Sequence, residues 1–252
     1  MEDSPYNENN KWITEEYIFN IMNEYNILNF KINNINFYKK AFIHKSYLKN
    51  SDFNIPPPNT IDLQEESYER MEWLGDTLLE VLISKYLYER FDINEGFLSR
   101  IRTRIVRGET LAEFSRILGF NQYIIISKRT ENDNGRNSKK ILNNIFESFL
   151  CAIYLDNNNN ISIVEDFLIK FIELNIDFVD IILNNDNYKD QLIRYVKNNL
   201  KKECIYQINN LNNSKYECII TIEDLIFKEI GDDKKKISQL ASQRGLKYYN
   251  II

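Results

Sequence analysis

The chain is short of the residues that build nitrogen and sulfur metal sites, tight turns and membrane spans. One histidine, His44, and three cysteines, Cys151, Cys204 and Cys218, stand among 252 residues. The cysteines share no metal-ligand spacing, which points away from zinc. They read as small buried hydrophobes of a reducing compartment. Metal chemistry here must then use oxygen ligands, which favours Mg²⁺ or Mn²⁺. With 7 Gly and 4 Pro, long helices and few tight turns are expected. No run of about 18 uncharged apolar residues occurs, so neither a membrane span nor a membrane partner is expected. The opening Met1-Glu2-Asp3-Ser4-Pro5 is acidic and polar, unlike a signal peptide. The expectation is an intracellular protein, cytoplasmic or nuclear.

Net positive charge is also lacking, at −5 overall, but the deficit is not evenly spread. From Asn187 to Ile252 there are 12 Lys+Arg and 8 Asp+Glu, leaving 20 and 29 in the residues before them. An acidic front and a basic tail suit a cation-dependent site joined to a module that grips phosphates. Ordinary charge scatter between two domains gives the same split. The hydrophobic fraction of 43% and aromatic fraction of 13% supply a core for one large domain, or for a medium domain and a small one. Abundant Asn, Ile, Lys and Tyr suggest an AT-rich genome. The runs Asn157–Asn160 and Asn184-Asn185 read as loop filler of that kind.

The stretch around which the rest is organised is Glu69-Arg70-Met71-Glu72-Trp73-Leu74-Gly75-Asp76. Apolar positions at Met71, Leu74, Leu78, Leu79, Val81, Leu82 and Tyr86 predict one helix from Ser67 to Phe91. On it Glu69, Glu72 and Asp76 fall at i, i+3 and i+7, on one stripe. Stacked like charges destabilise a helix by roughly 0.2–0.5 kcal/mol per pair, so a cation or cationic partner is expected beside them. Gly75 costs about 1 kcal/mol against Ala in an exposed helix interior, and its use is to admit another backbone closely. A solvated acidic face is the bland alternative.

ERMEWLGDTLLEVLISKYLYERF resembles the signature helix of the ribonuclease III family, usually met as ERLEFLGD followed by an apolar helix. Ala41-Phe42-Ile43-His44-Lys45-Ser46-Tyr47 resembles the same family's ALTHRSY-like segment, and EGFLSRIRTRIVRGETLAEFSRILGF, from Glu95 to Phe120, matches as well. His44, a lone histidine beside apolar residues, reads as a structural hydrogen-bonder, and the resemblance implies no catalytic role for it. Arg100, Arg102, Arg104 and Arg107 admit two readings, a salt-bridged surface helix or a set facing phosphates.

Residues 1–10 are expected to be disordered within an amino-terminal extension of residues 1–30. Thr14 to Tyr25 predicts a short helix with Thr14 as N-cap. Residues 50–66, with Pro56-Pro57-Pro58, read as a polar loop, and 128–139 as a mobile one. Ile141 to Leu155 predicts a helix carrying Asn144 and Glu147 at i, i+3. Set against Glu72 and Asp76, such a pair is how helical bundles build a divalent-metal cage. The family usually has Asp-x-x-Glu there, so Asn144 is a departure. Ile161 to Ile182 predicts one or two closing helices, and a boundary is placed at 184–187.

Beyond it the pattern predicts a helix at Tyr188–Asn199, strands at Cys204–Ile208, Lys215–Ile222 and Asp224–Ile230, and a helix from Lys234 to Tyr248. This α-β-β-β-α order resembles a double-stranded-RNA-binding domain. The last helix begins with Lys234, Lys235 and Lys236, a grip on phosphates or simply a solvated lysine run. The family's histidine-containing loop is replaced by Asn209-Asn210-Leu211-Asn212-Asn213-Ser214.

The expected architecture is therefore an all-α nuclease domain at 31–183 followed by a small α+β domain at 187–252. The resemblance implies a homodimeric endoribonuclease that cuts both strands of double-stranded RNA, leaving 5′-phosphates and short 3′ overhangs. Glu72, Asp76, Asn144 and Glu147 would hold Mg²⁺, with Mn²⁺ able to substitute and no small-molecule cofactor. Glu69 and Glu95 match additional acidic positions, Gln191 and Lys234–Lys236 would meet RNA, and Trp73 would enter a socket on the partner, an ordinary buried tryptophan being the alternative. A catalytically weak or silent RNA-binding dimer is the competing function.

Overall fold

In a computed structural model, the described residues are 4–28, 30–50, 53, 55–183, 187–211 and 214–252. They form two compact units, Met1–Asp177 and Phe178–Ile252. The first is helical: α1 (Glu15–Glu24), α2 (Ile35–Ala41), α3 (Glu69–Arg90), α4 (Glu95–Ile105), α5 (Gly108–Ile117), α6 (Lys128–Asn132), α7 (Lys139–Asp156) and α8 (Ile161–Asn175). Its centre is α7, whose Leu142, Ile145, Phe146, Phe149, Leu150 and Ile153 are all buried. Helices α2, α3 and α5 pack around it. Aromatic rings fill the space between them. Phe149 lies 4.7 Å from Phe120 and 5.8 Å from Phe167, and Phe114 lies 4.9 Å from Phe171, centroid to centroid. Tilted and edge-on pairs of this kind add to the burial of the rings themselves.

The crossing of α3 over α7 sets the rest. Gly75 faces the backbone of α7, and a Cβ there would overlap the Glu147 carbonyl. The close approach read from the sequence is thus made by the segment that carries Glu147. Helix α3 starts at Glu69, two residues later than expected, because the Tyr68 N–H bonds the Ile43 carbonyl (2.8 Å) and ties that turn to the segment before α3. Val81, expected in the apolar stripe, is exposed, while Ile83 and Leu87 are buried instead.

Two expectations about disorder are overturned, the first for residues 4–10, since residues 1–3 lie outside the described residues. Residues 4–10 are packed against the bundle: Tyr6 joins Ile43, Tyr47, Leu63 and Ile125 in a small apolar cluster. The fully buried Asn7 donates to the Ile126 carbonyl (3.2 Å) and to Glu131 (2.9 Å). Asn10 exchanges bonds with the Ile126 backbone in both directions. Residues 128–139 are not a mobile loop. They form α6 and a 3₁₀ turn at Gly135–Asn137, held by Arg136, which bonds Glu131, Asn10 and the Ile124 carbonyl. Asparagine-rich sequence reads as loop filler, yet an amide can satisfy a backbone donor and acceptor at once, which a buried irregular segment needs.

Asp156, which drew no attention in the sequence, is a further fixed point. Its buried carboxylate accepts from the Asn33 and Asn34 backbone N–H groups and from the Tyr38 hydroxyl (3.1 Å), anchoring the start of α2 to the end of α7. Beside α3, the Nδ1 of His44 accepts from the Ser46 N–H (3.2 Å), the structural role read from the sequence. The three cysteines are free, Cys151 and Cys218 buried.

The second unit comprises α9 (Phe178–Leu183), α10 (Tyr188–Tyr195), β1 (Ile205–Leu211), β2 (Lys215–Ile222), β3 (Leu225–Gly231) and α11 (Lys234–Tyr248). A π-helical turn, Val196–Leu200, continues α10. The strands form one antiparallel sheet in the order β1-β2-β3, with Ile220 opposite Tyr206 and Phe227. Leu192, Val196, Cys218, Ile220, Ile222, Ile237, Ala241 and Leu246 make its core. From α10 onward this is the expected α-β-β-β-α arrangement, with β2 and α11 at the expected bounds, while α9, expected among the closing helices ahead of the boundary, groups with this second unit. Strand β1 runs to Leu211, beyond the expected Ile208, since Asn209 and Asn210 still pair with Glu217 and Tyr216. Residues 184–186, where a boundary is expected, and 212–213 of the β1–β2 connection lie outside the described residues.

Candidate active site

The first two turns of α3 and the middle of α7 face the same opening. Glu69, Glu72, Trp73 and Asp76 line it from α3, and Asn143 and Glu147 from α7, around a volume of about 500 Å³. The α3 residues follow the i, i+3, i+7 spacing of the sequence, and Gly75 brings them against α7. Trp73 stands on the rim with 74% of its surface exposed, so the ordinary buried tryptophan is ruled out for this chain.

Glu147 is the most perturbed acid of the group. Only 6% of it is exposed. Burial, and then the charges of Asp76 and Glu72, push its carboxyl up to about 8. Glu72 is half-buried and raised by burial first and Glu69 next, with Lys140 and Lys45 pulling it back down. Lys45 also pairs with Glu69 at 3.0 Å. The cationic company expected for the acidic stripe is thus partly these two lysines, neither of which the sequence singled out.

Asn144 is 8% exposed and does not line the opening. Its side chain hydrogen-bonds the buried Tyr68 phenol. The amide nitrogen of the preceding Asn143 donates to its Oδ1 (3.2 Å). Asn143 itself reaches the opening. The sequence held the signal: 143 and 147 are four residues apart on one helix, hence on one face. Glu95, at the exposed first turn of α4, is not among the lining residues.

Among the described residues, no three acidic, histidine or cysteine side chains converge closely enough to hold a metal ion as they stand. The donor set still fits a hard divalent cation. Glu72, Asp76 and Glu147, with Glu69 beside them, offer carboxylate oxygens only, and the Glu147 carboxyl, raised by burial first and by Asp76 and Glu72 next, is a group whose charged form a cation would favour.

The expected RNA-contacting residues lie in the second unit. Lys234, Lys235 and Lys236 are exposed on the first turn of α11, whose N-cap Asp233 accepts from the N–H groups of Lys235 (2.7 Å) and Lys236 (3.0 Å). The Lys234 ammonium lies 4.6 Å from the centre of the Tyr216 ring. Gln191 is half-buried on α10.

Comparison with known proteins gives this geometry a lineage. A family model described as Ribonuclease-III-like matches residues 34–172. Ribonuclease 3 of Streptococcus pneumoniae is 33% identical over 214 residues, covering 84% of this chain and 87% of that protein. The chain belongs to the ribonuclease III family. A probable ribonuclease 3 of Acanthamoeba polyphaga mimivirus is 37% identical over 197 residues, 75% of this chain but 35% of that longer protein. Among solved structures, the nuclease domain of ribonuclease III from Campylobacter jejuni superposes with a TM-score of 0.51 at 25% identity, covering 63% of this chain and 98% of that one. That structure was described for flexibility in a region involved in dimer formation. No helix among the described residues is long and apolar enough to cross a membrane.

Proposed function

We propose that this ribonuclease III family member is an endoribonuclease that cuts both strands of double-stranded RNA by attack of water on the phosphodiester. The observation that carries the reading is the meeting of Glu72 and Asp76 with the buried Glu147 at one opening. These three carboxylates would hold a divalent cation, Mg²⁺ with Mn²⁺ able to substitute, and the Asn144 amide oxygen, which does not line the opening as it stands, would complete the set. When bound, such an ion supplies the positive charge that makes water a nucleophile and offsets charge gathering on the phosphate oxygens.

Around that centre the chain's own residues bind and orient. Lys45 and Lys140 place positive charge beside the acids, where a phosphate backbone would pass. Trp73 on the rim suits insertion into a second copy, which would set two openings in one valley by two-fold symmetry. Lys234, Lys235, Lys236 and Gln191 in the α-β-β-β-α unit would hold the duplex by its phosphates and shape. Glu69, paired with Lys45, and Glu95 would border the valley without completing the cation site. Products with 5′-phosphates and short 3′ overhangs, and an intracellular place of work, follow from the same reading.

The test is cleavage of a long labelled RNA duplex in Mg²⁺ and in Mn²⁺, beside Glu147→Gln and Asn144→Asp variants. The expected result is cleavage that is lost in Glu147→Gln and needs less metal in Asn144→Asp. Asn144 gives the alternative its footing, because an amide removes one negative charge from the site. Duplex binding without cleavage in either metal would make this chain an RNA-binding dimer that has lost the reaction.

A further inference from the structure

We propose that Asn143 is a positioning residue of this site, turning the oxygen of the Asn144 amide toward the cation; the inference rests on the metal-dependent reading above. A carboxylate presents oxygen whichever way it rotates. An amide presents oxygen in one orientation and two N–H donors in the other, and donors repel a cation. An asparagine in the ligand set therefore needs a neighbour to fix its face.

Asn143 is placed to do this. Its Nδ2 is 3.2 Å from the Asn144 Oδ1 and donates to it. Its own Oδ1 is turned the other way, toward the first residue of α5: a Cβ on Gly108 would sit 3.4 Å from it. The nitrogen side of Asn143 thus faces the acids and the oxygen side faces away from them. The same nitrogen also serves Glu147, where its hydrogen bond works against the effect of burial. On its other side the Asn144 amide hydrogen-bonds the Tyr68 phenol, and with Oδ1 already accepting from Asn143 the nitrogen is the end left to face it. Nitrogen toward Tyr68 and oxygen toward Asn143 is one consistent orientation. Flipping Asn143 would set two amide oxygens against each other. Outer partners of this kind orient ligands in metal sites generally.

The experiment is calorimetric titration of the intact chain with Mn²⁺ alone, without RNA, comparing the natural sequence, Asn143→Ala, Asn144→Asp and the double variant. Alanine at a half-exposed helical position keeps the fold, which thermal melting in chelator verifies. The expected result is Mn²⁺ binding weakened about tenfold by Asn143→Ala in the natural background. With Asp at 144, the same change should matter less than about threefold, because a carboxylate needs no turning. An affinity unchanged by Asn143→Ala, or the same loss in both backgrounds, overturns the inference and leaves the metal site standing. Absence of Mn²⁺ binding in the natural chain and in Asn144→Asp alike removes the metal reading and the inference with it.

Discussion

The Glu147 carboxyl is almost out of water, and two further carboxylates face it. Its pKa rises from 4.5 to about 8 on folding. A group raised in the folded chain holds its proton more tightly there. The stability it contributes is therefore full below its unfolded value and is lost as pH climbs through its folded one. For the metal-free protein the loss accrues between those two values. Glu147→Gln keeps the shape and removes the charge, so it should stabilise the metal-free chain by about 1–3 kcal/mol above pH 8 and hardly at all near pH 4.5. Chelator-treated thermal melts of both proteins across that range decide it. Equal differences at both ends would show that Glu147 titrates normally. At this scale the sequence was legible where spacing carries meaning, as with Glu69, Glu72 and Asp76. It was silent on Lys45 and Lys140, whose importance depends on which faces of separate elements meet, while Asn143 was legible only through its i, i+4 spacing from Glu147.

At the scale of elements, the site depends on one crossing. Helix α3 reaches α7 at Gly75, where a side chain has no room because the Glu147 backbone fills it. Gly75→Ala would improve the intrinsic helix propensity of α3 by about 1 kcal/mol, yet forces the helices apart. Overpacking a filled interior costs about 1–3 kcal/mol or more, so the variant should melt lower in spite of its better propensity. A higher melting temperature would mean that α3 and α7 can part without cost. The long helices were legible because 3.6-residue periodicity marks them, and β2 and α11 because alternation and an acidic cap do. The amino-terminal segment and residues 128–139 were not. Their order comes from Asn7, Asn10, Glu131 and Arg136 bonding across more than a hundred residues of sequence, and no local pattern records such pairings.

For the whole molecule, Trp73 poses the sharpest question. An indole 74% exposed on a rim of carboxylates contributes little to the stability of its own chain. Large exposed aromatic residues earn their keep at interfaces, where truncating one costs about 2 kcal/mol or more. In a two-fold dimer the same residue acts twice, once from each chain. Trp73→Ala should therefore leave the midpoint of thermal unfolding of the isolated chain within a degree or so while moving sedimentation at micromolar concentration from dimer toward monomer. If each opening cuts one strand, the same variant should also shift the products of a labelled duplex from double-strand breaks toward single-strand nicks. A variant that stays dimeric and still makes paired cuts would remove Trp73 from the interface. One that becomes monomeric yet keeps paired cuts would show that a single opening serves both strands, against the reading in which the Glu72, Asp76 and Glu147 cluster of each chain cuts one.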